Sequence, residues 1–449
     1  MQMERFDGSA GIAGRRNDGN EAPKRVDLAR VRLVSVPRCR RSRHFAAPVE
    51  SHVSVALWLC GLLAFFFAVV QPGEAHKPIT SKYTYNDDVF PILKERCSRC
   101  HVQGGVAPMS LMTYEEAFPW GESIRAELVA AHMPPAAADE GFGDIKRGHV
   151  VSLTPKEVDV LLTWASGGNP RGALEQRLPP VTLRNEWSLG TPDLALSLPA
   201  EVTIAADAME ETREITIATG TKEPRWVRAV DLLPGNPAIV RSAVIVLKDA
   251  PDRVLARWVP GQDLVPLDGN AAFRLPAGAA LVARIRYKKT WSYEGKTMTD
   301  RSTVGIYFAR NSDAREITAL ALAAQALPAE KGQRFSFSRT IEQDVQAYAI
   351  DPAQVPDDVS LQMEAVTPDG RRTPLVRFVT RADWTRRYWL NAPLPLPRGT
   401  RIEVSGVMED AELTSAAFGG PSGTQKSGTP TTLKLALDVV SAAAKSAAP

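Results

Sequence analysis

Histidine and cysteine are scarce in this 449-residue chain, which has six and four of them, all in its N-terminal third. No cysteine follows Cys100, which argues against a scaffold held together by disulfides. No histidine follows His149, so the last 300 residues offer neither imidazole nor thiolate. This excludes the usual zinc and copper ligand sets, and Ser-His-Asp or Cys-His catalysis, from two-thirds of the chain.

A basic surplus is also missing outside the first 52 residues. The formal net charge is +3, from 54 basic and 51 acidic residues. Residues 1–52 alone carry +5, so the remainder is slightly acidic and no nucleic-acid partner is expected. The composition, with 44% hydrophobic and 23% charged residues, is globular, and the length suggests two to four domains.

One long hydrophobic run is present, Val53–Val70, with 18 uncharged residues. Arginines precede it, and the small residues Gly73 and Ala75 suit a cleavage site before His76. Residues 53–75 are therefore predicted to be a signal peptide or, alternatively, a retained membrane anchor. Both alternatives place the rest of the chain in the periplasm, with membrane contact only through this N-terminal segment. Residues 1–52 are expected to be a disordered basic leader.

The most specific chemical signal is Cys97-Ser98-Arg99-Cys100-His101, a C-x-x-C-H sequence. Two thiols at this spacing can each form a thioether to a haem vinyl group, and the adjacent imidazole can bind the iron. A redox dithiol is the alternative, but such a pair typically follows a strand, whereas Asn86–Arg96 has helical apolar spacing. We predict one covalent haem c, attached through Cys97 and Cys100, with His101 as proximal iron ligand.

The sixth position of the iron needs a separate residue. Met133 precedes two prolines, which stiffen the chain beside its soft, neutral sulfur, and we predict it as the distal ligand. The alternatives are other soft or imidazole ligands nearby in sequence, namely His132, His149, Met109 and Met112. Further along, Thr154-Pro155-Lys156-Glu157 predicts a capped helix that ends at Gly167-Gly168.

Residues Tyr85–Gly172 resemble the single-haem cytochrome c domains of exported bacterial proteins. The resemblance is carried by Asp88–Leu93, the C-x-x-C-H sequence, Ala107–Leu111, Met133–Pro135 and the helix end Trp164–Gly168. It implies a small all-α cytochrome c domain, which we place at residues 82–175. One departure is Ala136, where such domains often have tryptophan after the two prolines.

From Trp187 onward, short β-branched runs alternate with proline and glycine turns, which predicts an all-β body. Thr367-Pro368-Asp369-Gly370 between two such runs indicates a hairpin. A Leu-Pro-x-Gly sequence occurs before two runs, at Leu275 and again at Leu396, which suits two successive domains. We predict a pair of jelly-roll-like β-sandwiches at residues 187–311 and 331–440, followed by a loose tail at 441–449.

This body resembles the copper type II, ascorbate-dependent monooxygenases of the peptidylglycine-hydroxylating type. The matching sequences are Trp187–Asp193, Pro234–Asn236, Trp258–Gly261, Leu275–Gly278, Asp300–Gly305, Pro368–Gly370, Trp384 and Leu396–Thr400. Where the family has copper-binding histidines, however, this chain has Arg241-Ser242, Arg286, Ala353 and Val355. Arginine stays charged and cannot bind copper, so the resemblance implies a body without catalytic copper.

The remaining feature is a set of basic residues on predicted strands: Arg241, Arg284, Arg286, Lys288 and Lys289. We expect them mainly on solvated strand faces, with a pocket for a small anionic ligand as the alternative. Together these features predict an exported one-electron carrier that meets a redox partner protein and uses its β-body for docking or ligand binding. The alternatives are a haem-linked copper monooxygenase and a haem-based sensor.

Overall fold

The computed structural model describes residues 80–135, 138–146, 153–267, 270–310, 313–326, 332–408 and 432–441. The basic leader (1–52), the hydrophobic run (53–75), His149 and the tail beyond Ser441 lie outside these residues. In the part that is described, no helix is both long and apolar enough to cross a membrane.

The helices lie in the first part of the described chain and are short. They are α1 (Phe90–Arg96), α2 (Tyr114–Ala117), α3 (Gly121–Val129) and α4 (Pro155–Ser166). The Thr154 capping box at the start of α4 is confirmed, with the Thr154 side chain and Glu157 capping each other's backbone. The helical turn before α1 is capped by Thr84, whose side chain accepts a hydrogen bond from the Asp87 amide. Tyr85, Leu93 and Trp164 are buried in a small apolar core between these helices.

The prediction of a self-contained all-α domain at residues 82–175 is wrong, because the chain is mostly β-strand and these helices are separated by long turns. The middle of the segment also leaves the helices. Ala138 and Ile145 form antiparallel bridges to Phe378 and Leu390 in the second β-sandwich. Backbone hydrogen bonds of residues 139–146 run to the same strands, including Lys146 N to the Trp389 carbonyl at 2.6 Å. Backbone groups in this stretch are satisfied by a sheet edge, which local helical patterns do not reveal.

The strands of the first β-sandwich are β1 (Leu194–Ser197), β2 (Val202–Ile204), β3 (Glu210–Ala218), β4 (Arg225–Leu233), β5 (Val240–Leu247), β6 (Ala250–Trp258), β7 (Ala271–Leu275), β8 (Ala280–Lys288), β9 (Met298–Asp300), β10 (Thr303–Phe308) and β11 (Arg315–Glu316). They form a five-stranded sheet in the order β1-β10-β4-β7-β11, a four-stranded sheet β3-β8-β5-β6 and a small ladder β2-β9. Along β8, buried side chains at odd positions alternate with half-buried ones at even positions, as expected for a strand with one face on the core.

The strands of the second β-sandwich are β12 (Thr318–Ala326), β13 (Arg334–Thr340), β14 (Val345–Gln354), β15 (Val359–Val366), β16 (Arg372–Val379), β17 (Tyr388–Leu396), β18 (Arg401–Met408) and β19 (Thr432–Ser441). The sheet β12-β19-β14-β17 packs against the sheet β13-β18-β15-β16. The predicted hairpin is confirmed: β15 pairs with β16, and Gly370 takes a positive φ in the turn.

Buried ion pairs connect the two sandwiches. Arg387, which is 4% exposed, lies 2.6 Å from the carboxylate of Asp438 on β19. The same guanidinium donates hydrogen bonds to the carbonyls of Leu255 and Val254 on β6. Arg257 on β6 in turn pairs with Asp351 on β14. The contact between the sandwiches thus contains two buried ion pairs, of which Arg257–Asp351 crosses from one sandwich to the other.

Candidate functional site

The C-x-x-C-H sequence forms a turn directly after α1. Cys97 ends the helix through a backbone hydrogen bond to Leu93, and the amide of His101 returns to the Cys97 carbonyl at 2.8 Å. Both cysteines are partly buried free thiols. The turn therefore presents two unbonded sulfur atoms followed at once by the imidazole.

Among the described residues, Nδ1 of the His101 ring has a hydrogen-bond partner and Nε2 has none. Its Nδ1 lies 3.3 Å from the Met109 carbonyl, which only accepts, so Nδ1 carries the hydrogen and Nε2 keeps its lone pair. Burial lowers the pKa of His101, against a smaller opposite effect of that hydrogen bond. A neutral imidazole whose Nδ1 is fixed by a backbone carbonyl is the usual form of a histidine that binds a metal through Nε2.

The thiols differ from those of redox dithiols. Burial raises the pKa of Cys97 to about 12. Burial also raises the pKa of Cys100 to about 11, although Arg241, Arg386 and Arg99 act in the opposite direction. Reactive redox cysteines usually have a lowered pKa, so this environment disfavours the dithiol alternative.

Met133 and His132, two of the candidates for the distal iron ligand, differ in exposure and in hydrogen-bond partners. Met133 keeps 36% of its surface exposed, and the Pro135 carbonyl two residues later accepts a hydrogen bond from Arg386. His132 forms a hydrogen bond through Nδ1 with Glu127 at 3.2 Å, and its Nε2 lies 3.6 Å from Asp358. One nitrogen of this imidazole is therefore already used by a carboxylate.

The two other methionine candidates belong to the helical core. Met112 is 6% exposed within the helical core, and Met109 packs against the same core. His149 lies outside the described residues. Met133 therefore remains the predicted distal ligand.

The charges of three arginines from three parts of the chain oppose the rise in the pKa of Cys100. Arg99 belongs to the turn itself and pairs with Asp263 at 2.5 Å. Arg241 lies on β5 of the first sandwich, and Arg386 lies just before β17 of the second. In both of the latter, the buried Nε has no hydrogen-bond partner among the described residues. Burial lowers the pKa of both guanidinium groups.

Sequence reasoning singled out Arg241 but missed Arg386. Arg241 stands where the copper monooxygenases that the body resembles have a histidine. In the structure, its neighbour Ser242 pairs with Arg286 across β5 and β8. Arg386 and Arg387 form an uninterrupted cationic pair directly before the apolar start of β17. That local conflict of charge and burial is the signal that could have revealed them.

The predicted basic cluster does not form a free cationic pocket. Arg284 pairs with Glu214, and Arg286 pairs with Glu210 and Asp383. Lys288 reaches the same two acids as Arg286. Lys289 is buried and donates to three backbone carbonyls, those of Ala205, Ala206 and Lys296. Arg241 is the exception in this set.

A cavity of about 280 Å³ lies beside the C-x-x-C-H turn. Its wall includes Arg99, Gly261 and Asp263, together with Trp187 and the buried Asp231. A Cβ on Gly261 would lie 3.3 Å from the Cys100 sulfur, so the loop after β6 approaches the thiol as backbone. The first sandwich thus forms part of the immediate surroundings of the C-x-x-C-H turn.

Asp231 makes the stability of this wall dependent on pH. Burial raises its pKa from 3.8 to about 6, against hydrogen bonds from Leu232 and Ser188. A raised pKa means that the folded chain binds the proton more tightly, so this stability is present below pH 4 and is lost as the pH rises through 6. We expect about 2 to 3 kcal/mol to be lost across that window, and Asp231→Asn to remove the loss. Urea unfolding at pH 4 and pH 7 measures the free energy of unfolding at both pH values, and the exposed Asp252→Asn is the control. If Asp231→Asn loses as much stability between pH 4 and pH 7 as the wild type, this explanation is wrong.

In the part of the chain that is described, no group of three or more His, Cys, Asp or Glu side chains is placed to hold a metal ion. No family model matches this chain, and no curated protein matches it. Among solved structures, it is similar to A223, a turret protein of Sulfolobus turreted icosahedral virus, with 11% identity and a TM-score of 0.16. That match covers 55% of this chain and 99% of the viral one, and a TM-score this low carries no argument.

Proposed function

We propose that this chain is an exported c-type cytochrome that carries one covalent haem and transfers single electrons to or from a redox partner protein. Its β-body acts as the docking or ligand-binding module. The observation that supports this best is the His101 ring, whose Nδ1 is held by the Met109 carbonyl next to two free thiols. The hydrophobic run Val53–Val70 with its preceding arginines supports export.

The residues of the turn fit a covalent haem. Cys97 and Cys100 would each add sulfur and hydrogen across one vinyl double bond, so a C–S and a C–H bond form without an external oxidant or reductant. His101 would hold the iron through Nε2, and Met133 would hold it through its thioether sulfur. The haem, when bound, supplies a centre that gains or loses one electron. The surrounding arginines supply positive charge, which favours the reduced form.

The experiment that tests this uses the full chain, produced together with a haem-attachment system. Protein-bound haem is measured after denaturation and acid–solvent extraction, which remove haem held without a covalent bond. We expect one haem per chain and a mass increase equal to one haem. A chain that receives no covalent haem, in a system that loads a known c-type cytochrome in parallel, would refute the proposal.

Met133→Ala is expected to open the distal position of the iron. A bound thioether competes with external ligands and raises the reduction potential. The reduced variant should therefore bind carbon monoxide at least about tenfold more readily than the wild type and have a lower midpoint potential. Carbon monoxide titration and redox titration measure these two effects.

His132→Ala is the matched control for that variant, because this ring is already engaged by Glu127 and Asp358. It should keep the wild-type spectrum and the wild-type resistance to carbon monoxide. If the wild type binds carbon monoxide as readily as Met133→Ala, the distal position is open already. That result would favour the haem-based sensor.

A further inference from the structure

Arg386 is a buried cation with no carboxylate partner among the described residues. Only 8% of its surface is exposed, and one Nη donates to the Pro135 carbonyl while Nε has no partner among the described residues. A buried charge is costly unless it is paired, and arginine does not escape that cost by losing its proton. The site around Arg386 therefore needs a negative group.

The groups that act on Arg386 electrostatically do not supply that charge. They are the Tyr388 phenol and the Cys100 thiol. Burial raises the pKa of the Tyr388 phenol, so it is neutral near pH 7, and Cys100 would carry no charge once its sulfur is a thioether. No carboxylate of the described residues pairs with Arg386, in contrast with its neighbour Arg387, which has Asp438.

Arg241 approaches the same place from the other sandwich. Its guanidinium lies 6.0 Å from the ring of Trp384, two residues before Arg386, and it acts on the Cys100 thiol as Arg386 does. The charged groups around Arg241 are Arg286 and Glu210, and Glu210 is already paired with Arg286. Each sandwich thus contributes one guanidinium whose charge acts on Cys100 and whose buried Nε has no partner among the described residues.

We propose that Arg241 and Arg386 bind the carboxylate side chains of the covalent haem, one arginine coming from each β-sandwich. This rests on the proposed function, since the haem brings these carboxylates into the site when Cys97 and Cys100 are joined to it. Guanidinium and carboxylate form strong charge-assisted hydrogen bonds, which would satisfy both unused Nε donors. Both arginines are then positioning residues that fix the haem and favour its reduced state.

The first test is the midpoint potential of the haem-loaded full chain with Arg241→Met or Arg386→Met. Removing one positive charge near the haem disfavours the reduced form. Each variant should therefore shift the reduction equilibrium by about tenfold towards the oxidised form while keeping covalent haem. Arg284→Met, which removes an exposed strand arginine paired with Glu214, is the control and should not shift it.

The outcomes separate this inference from the proposed function. If the wild type takes up no covalent haem, the proposed function fails. If all variants carry haem and their potentials equal that of Arg284→Met, only the assignment of the two arginines fails. A wild-type potential that changes with acetate concentration at constant ionic strength would show that the site takes a free anion, which also overturns it.

A second measurement covers the possibility that Arg386→Met disturbs folding. Without haem, in a Cys97→Ala, Cys100→Ala background, the substitution removes an unpaired buried cation and should leave the thermal midpoint unchanged or higher. With haem, it removes a paired cation and should lower the midpoint. A loss with haem that is no greater than the loss without haem would contradict the assignment.

Discussion

The Cys97→Ala, Cys100→Ala double variant is expected to lose all covalently bound haem, whereas Ser98→Ala should keep the full amount. Each thiol provides one thioether, and the described residues contain no cysteine besides these two. Either single variant should retain haem through the remaining thioether, at lower yield and with an altered spectrum. Haem staining after denaturing electrophoresis and intact mass measure all four proteins together.

Ser98→Ala is the matched control because it changes the interior of the same turn. The Ser98 hydroxyl only donates to the Lys94 carbonyl at the surface of α1. Its loss should cost no haem and about 1 kcal/mol or less of stability. Covalent haem in the double variant would show that attachment uses other residues, and the assignment of Cys97 and Cys100 would be wrong.

Arg387→Met is expected to destabilise the β-body by about 3 to 5 kcal/mol, the typical cost of breaking a buried ion pair. The substitution leaves Asp438, which is 1% exposed, without its nearest cation. It also leaves the carbonyls of Leu255 and Val254 without the donor that comes from the second sandwich. Urea unfolding at pH 7 measures the loss.

Two further variants test whether the pairing itself explains that loss. Arg387→Met combined with Asp438→Leu should recover part of the stability, because replacing both partners leaves no unpaired buried charge. Arg372→Met is the exposed control: Arg372 pairs with Glu364 and Glu403 at the surface, so it should cost no more than about 1 kcal/mol. Equal losses in Arg387→Met and Arg372→Met would mean that burial of the pair does not matter.

The strands of the β-body could be predicted because their patterns are local. Along β15, buried and half-buried residues alternate from Val359 to Val366, and the turn that follows has the Pro-Asp-Gly sequence of a hairpin. The capping box at Thr154 is equally local, since both partners lie within four residues. In such elements the same residues determine the pattern and the structure.

The surroundings of the C-x-x-C-H turn could not be predicted in the same way. Cys97, Cys100 and His101 form a contiguous motif, but Gly261, Arg241 and Arg386 come from positions more than 100 residues later. The bridges of Ala138 and Ile145 to the second sandwich depend on pairing over a similar distance. These contacts have no local pattern, which is why the sequence predicts a separate all-α domain where the structure has none.

The bridges at Ala138 and Ile145 also set an order of events during synthesis. They join residues about 240 positions apart, so contacts of very high contact order complete this part of the molecule. Phe378 and Leu390 have not yet been made when the C-x-x-C-H turn leaves the ribosome. Until they are made, the second sandwich cannot form its bridges to residues 138–145, whereas every strand of the first sandwich precedes them in the chain. The two sandwiches therefore become available to the C-x-x-C-H turn one after the other, the first before the second.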